Sequence, residues 1–187
     1  VSDLLELRTR ALALAERYVG VREHGGRNRG HQIERWLDHV NLPPGQPWCA
    51  AFVCSILDEA AAGLKMDGPL PKSASVAKLW ARAPEHMRSG RCTRGSIFVH
   101  FTDPDNPHGH GHTGFVTGVD GDHFMSVEGN TDDAGGRDGD GVWYKRRPSS
   151  YAFGFIDIGR EGPAAARVHG PRNGSAHGTD RGGRAQG

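Results

Sequence analysis

Two reactive side chains in this chain stand where secondary structure would hold them still. In "PPGQPWCAAFVCSIL" (residues 43–57) Cys49 follows a proline turn and opens an apolar helical run. A thiol at a helix start meets backbone N–H groups that have no partner within the helix, at the positive end of the helix dipole. That setting favours the thiolate, the nucleophilic form of cysteine. Cys49 shares a helical face with Phe52 and Val53, the face that must pack on other elements, whereas Cys54 points about 140° away. Position alone leaves a second reading open, that Cys49 is a small buried hydrophobe. Cys54 and Cys92 have no comparable placement and are read as structural.

A thiolate nucleophile needs a base within hydrogen-bond reach, and histidine suits neutral pH. The chain has 11 histidines, so their presence decides nothing. In "NPHGHGHTGFVTGV" (residues 106–119) His108, His110 and His112 occupy every second position, a spacing that a metal site could use. A metal needs ligands held rigidly, and the alternating glycines are a poor frame for that. There is no CxxC or HExxH spacing either, so no metal is expected. His112 instead heads a strand whose Phe115, Val116 and Val119 are expected in the core, which would fix its position. A third polar group usually orients such an imidazole. In "HFMSVEGNT" (residues 123–131) the residues Phe124, Ser126, Glu128 and Asn130 alternate onto one face, opposite Met125 and Val127. Glu128 and Asn130 either aim at the imidazole or begin the polar turn "NTDDAGGRDGDG". The acids Asp132, Asp133, Asp138 and Asp140 of that turn lack the ligand order of a calcium loop and read as a solvated hairpin loop.

The elements that must position these groups change character midway. Leu4, Leu5, Leu7, Ala11, Leu12, Ala15, Tyr18 and Val19 recur at helical spacing, with Ser2 as cap and Gly20 as stop. "HQIERWLDHV" sets Ile33, Trp36, Leu37 and Val40 on one helical face, and "WCAAFVCSILDEAAAG" is a third helix ending at Gly63. A shorter helix in "SASVAKLWARA" takes Ser73 or Ser75 as cap. After Gly90, short β-branched and aromatic runs separated by turn residues predict a meander of strands. Helices followed by strands mean an α+β domain, with helices packed on an antiparallel sheet.

Composition excludes several classes. The 187 residues suit one domain, and a formal net charge of +1 argues against a nucleic-acid or membrane surface. No apolar run reaches the roughly 18 residues of a membrane span. The first twenty residues lack a signal peptide's basic start and apolar block, so synthesis in the cytoplasm is expected, with action elsewhere only after release or delivery. From Arg160 onward five Arg face two acids among seven Gly. Residues 160–187 therefore read as a disordered basic tail after a catalytic domain of residues 1–159. Three cysteines are not a disulfide framework.

In order and spacing, "PWCAAFVCSIL", "GHTGFVTGV", "VEGNT" and "GDGV" resemble the CHAP family. These are cysteine- and histidine-dependent amidohydrolases and peptidases of the papain-like superfamily. The resemblance runs from roughly Ala11 to Gly159. It implies a papain-like α+β fold with Cys49 as nucleophile, His112 as general base, and Glu128 and Asn130 orienting the imidazole. It also implies cleavage of an amide in peptidoglycan by a monomer without cofactors, at the glycan–peptide junction or within the peptide. The Cys49 N–H is the natural first oxyanion donor. Gln46, spaced more closely to the cysteine than in papain-type enzymes, is the candidate second donor. The chain departs from some relatives in having no Asp-x-Asp calcium loop ahead of the nucleophile and no recognisable wall-binding domain after the catalytic one. Two rivals remain, a non-catalytic wall-binding module of the same fold and a cysteine peptidase or transferase acting on a non-wall amide.

Overall fold

The computed structural model describes residues 2–103, 105–106, 109–132 and 139–162. Four helices come first, α1 (Asp3–Arg17), α2 (His31–His39), α3 (Cys49–Gly63) and α4 (Val76–Arg82). Strands β1 (Arg88–Ser89), β2 (Ile97–Phe101), β3 (Gly111–Asp120), β4 (His123–Thr131), β5 (Gly141–Pro148) and β6 (Gly154–Ile156) follow. They form one antiparallel sheet in the order β1-β6-β2-β3-β4-β5. The helical region packs against this sheet, which is the expected α+β architecture. Only β2 to β5 make a meander, because β6 crosses back to lie beside β2.

Capping follows the local chemistry. The Ser2 hydroxyl accepts from the Leu5 N–H at the head of α1, and Ser75, not Ser73, caps α4 through the Lys78 N–H. α1 stops at Arg17, three residues before Gly20, as its last turn tightens around Tyr18. No side chain caps α3.

Period-2 alternation divides the sheet into two faces. Ile97, Val99, Phe115 and Val127 meet the helices, and with Leu7, Ile33, Trp36, Phe52 and Ile56 they build the main core. Phe98, Val116, Phe124 and Phe155 point the other way and form a smaller cluster, with Tyr151 packed against it. Val119 is not core. It is 54% exposed, beyond a register shift between Val116 and Gly118 that ends the regular alternation near the hairpin tip.

The head of α3 is locked by aromatic packing. Trp36 stacks on Trp48 at 5.4 Å, and Phe52 meets Trp36 and Phe115 edge-on at 5.0 and 6.2 Å. The Trp48 indole N–H donates to Glu23 at 3.0 Å, which ties the segment between α1 and α2 to the residue before Cys49. β4 passes so close to this cluster that a Cβ on Gly129 would lie 2.6 Å from the Trp48 ring and 3.0 Å from Phe52. Gly129→Ala is therefore expected to lower stability by about 1–3 kcal/mol through overpacking. Urea denaturation monitored by Trp fluorescence checks this, and an unchanged midpoint would show that the contact relaxes freely.

Candidate active site

Cys49 is the first residue of α3 and is buried. Its N–H has no carbonyl one turn earlier in the helix to bond. With no capping side chain present, the first-turn N–H groups are arranged to stabilise an anion at this point. His112, 1% exposed, is the second residue of β3. Its Nε2 lies 2.9 Å from Glu128 Oε2 on the neighbouring strand, and Cys49 is near enough to influence the proton affinity of the ring. With Nε2 on the carboxylate, Nδ1 is the ring nitrogen left for the thiol.

Space for this contact comes from β3 itself. A Cβ on Gly114 would sit 2.6 Å from the Val127 carbonyl oxygen and 3.0 Å from both Glu128 Cγ and Phe98. A glycine there lets the Glu128 side chain lie across β3 toward His112.

Glu128 is wholly buried and nonetheless well solvated by protein donors. Ser126 Oγ donates to Oε1 at 2.6 Å, Arg147 Nε to Oε1 at 3.0 Å, and Arg147 Nη2 to Oε2 at 2.7 Å. Arg147, on β5, is itself buried, with its guanidinium 4.5 Å from the Tyr151 ring centre. Burial raises the Glu128 carboxyl, but His112 and Arg147 outweigh it and hold the group down at about 2. Burial likewise pulls the His112 imidazole down, while hydrogen bonds to Cys49 and Glu128 and the charges of both push it up to about 9. Both shifts favour an imidazolium beside an ionised carboxylate.

Asn130 is buried near the end of β4 in a left-handed conformation (φ 58°), where the pairing with β5 shifts register. Regular alternation therefore does not carry from Glu128 to Asn130. Glu128 is the group the structure brings onto Nε2. Gln46 is exposed and, with Cys49, Ser75, Val76 and His110, lines a cleft of about 260 Å3. A larger hollow of about 460 Å3, lined by Trp36, His39, Ser55 and Asp58 among others, includes neither Cys49 nor His112.

His110 is exposed and precedes β3, so it does not share the rigid setting of His112, and His108 lies outside the described residues. Among the described residues no group of three His, Cys, Asp or Glu side chains could hold a metal ion. Asp133, Asp138 and residues 163–187 of the basic tail also lie outside them. Cys54 is buried, with its sulfur 3.4 Å from the Ser73 N–H, and burial pushes its thiol up to about 11. Burial does the same for Cys92. Neither is a thiolate at neutral pH.

Residues 41–130 match the family model described as CHAP domain, a span from the turn before α3 to Asn130. The chain carries a CHAP domain. That membership supports a cysteine-dependent amidase or peptidase activity in general. No curated protein and no solved structure matches the chain. The matched span takes in Cys49, His112, Glu128 and Asn130, but ends before Arg147. No helix among the described residues is long and apolar enough to cross a membrane.

Sequence reading missed Ser126, Arg147 and Glu23 as supports of the site. Ser126 was placed on the correct face but given no role. Arg147 and Glu23 are linked to their partners only by strand register and loop closure.

The raised imidazole makes a stability prediction. A histidine pushed up from 6.5 to about 9 contributes stability that is fully present below pH 6.5 and is lost as pH rises through 9. The melting temperature is thus expected to fall across that window, and His112→Gln should flatten the fall. In Glu128→Gln the His112 ring titration, followed by NMR, should drop by about one pH unit or more. A midpoint unmoved from wild type would show that Glu128 does not hold the imidazolium.

Proposed function

We propose that this protein is a cysteine-dependent hydrolase of amide bonds in peptidoglycan, acting as an amidase at the glycan–peptide junction or as an endopeptidase within the peptide. The observation that supports the reading is the buried His112 imidazole, hydrogen-bonded to Glu128 and influenced by Cys49 at the head of α3. Cys49 is the nucleophile, His112 the general acid and base, and Glu128 the group that fixes the ring. Asn130 is a further contributor to the polar end of β4, and Gln46 a candidate oxyanion donor on the cleft wall.

The reaction proceeds as acyl transfer. With its proton transferred to His112, the Cys49 sulfur attacks the carbonyl carbon of the bound amide. Negative charge develops on the carbonyl oxygen, for which the Cys49 N–H at the uncapped start of α3 is the natural donor. As the C–N bond breaks, His112 gives its proton to the departing amine, leaving a thioester on Cys49. Water then attacks the thioester and gives its proton to the neutral imidazole. The C–S bond breaks and the acid product leaves. Glu128 remains ionised throughout and keeps the ring from rotating.

The test is mass spectrometry of purified peptidoglycan treated with the wild type and with Cys49→Ala. New fragments are expected from the wild type only, and their masses name the bond. Cys49→Ala should lower turnover by about 10⁴-fold or more with its melting curve intact. Cys92→Ala should retain activity. Fragments that persist with Cys49→Ala would remove Cys49 from the mechanism. Cys49 alkylated at neutral pH without peptidoglycan cleavage would turn the assignment to a non-wall amide.

A further inference from the structure

Arg147 lies beyond the family match and is given no part in the chemistry above, yet it contacts the site more extensively than any other supporting residue. It pairs across the sheet with Phe124, two residues before Ser126 and four before Glu128. Its side chain runs along the sheet to meet Glu128 near the position of Ser126, a small residue with no exposed surface. There the guanidinium grips the carboxylate as a fork, with Nε on Oε1 and Nη2 on Oε2. His112 Nε2 bonds the same Oε2, so two cationic nitrogens converge on one oxygen and lie within about 6 Å of each other.

The mechanism makes opposite demands on His112. As an acid it must hold a proton in the resting enzyme, and as a base in thioester hydrolysis it must accept one from water. A carboxylate devoted entirely to the imidazole would satisfy the first demand at the expense of the second. We propose that Arg147 is a positioning residue that divides the Glu128 charge between two cations, so that His112 can cycle between acid and base. The inference rests on the Cys49–His112 reading above. The groups facing the imidazole or its carboxylate are Cys49 from α3, Ser126 and Glu128 from β4, Arg147 from β5, and His100, the cross-strand partner of His112 on β2. Tyr151 and Asp132 also act on Arg147. A lysine would keep the charge but not the two-pronged geometry.

The test compares Arg147→Met, Arg147→Gln and Arg147→Lys in the full chain, with melting curves to confirm folding. Glutamine retains one donor to Glu128 and serves if methionine does not fold. The first readout is the His112 ring titration by NMR, which needs no substrate. Both neutral variants are expected to raise its midpoint by about 0.5 pH unit or more, and lysine to leave it within about 0.2. The second is turnover on peptidoglycan fragments. In the neutral variants kcat and KM should fall together by about tenfold, leaving kcat/KM little changed, and an acyl group should accumulate on Cys49, seen by intact mass. A residue that only supports the fold would move neither the titration nor the acyl-enzyme. An unmoved or lowered midpoint in a folded neutral variant overturns the inference. A raised midpoint with no fragments even from the wild type would sustain the Arg147 effect on the imidazole and overturn the peptidoglycan assignment instead.

Discussion

A carboxylate with no exposed surface organises much of this structure. Placing Glu128 inside the protein as an anion would be prohibitive without partners, since a buried charge is tolerated only when it is paired and hydrogen-bonded. The fold meets that demand from three strands. β3 brings His112, β4 brings Ser126 from two residues away, and β5 brings Arg147. Each donor depends on register, because a slip of one residue in either strand pair would turn its side chain to the opposite face. The sheet therefore does more than cover the helices, since its pairing builds the electrostatic environment of the imidazole.

The thiol is held by a different kind of force. Cys49 owes its place to the apolar packing of Trp48 and Phe52 on Trp36 and Phe115, together with the polar tie from Trp48 to Glu23. Dispersion and burial thus set the helix, and charge-assisted hydrogen bonds set the histidine. Gly129 lies where the two systems meet, between Glu128 and Asn130 in the chain and against the Trp48 ring in space. A side chain there would force the α3 head and β4 apart, and with them the thiol and the carboxylate.

Local signals were legible in the sequence to the extent that local physics controls them. The helix opening at Cys49, the Ser2 cap and the strands around His112 and Glu128 follow from turn residues and periodicity, and all are present. What depends on distant pairing was not legible. The return of β6 to β2 reverses the simple meander, Val119 leaves the core beyond a register shift, and Asn130 departs from the alternation that includes Glu128. Arg147 is the clearest case. Nineteen residues separate it from Glu128, and nothing in "GVWYKRRP" distinguishes it from Arg146, which faces out to Asp120. Only the β4–β5 register tells them apart.

The division of the sheet into two faces has a chemical consequence. Thr113 and Phe115 point to the helices, whereas His112 lies on the face of Phe98, whose ring is 5.9 Å from the imidazole. The smaller cluster of Phe98, Val116, Phe124 and Phe155 thus walls the His112–Glu128–Arg147 system on the side away from the main core. It excludes water from a carboxylate whose hydrogen bonds would weaken if water competed for them. Access is left to the cleft at the head of α3, lined by Cys49 rather than by His112. On the proposed function a substrate carbonyl entering there would meet the sulfur first, while the charges that hold the imidazole stay behind it, shielded from solvent. This arrangement suits the covalent mechanism proposed above, in which a proton would pass inward to the imidazole while the acyl group stays at the mouth for water to reach.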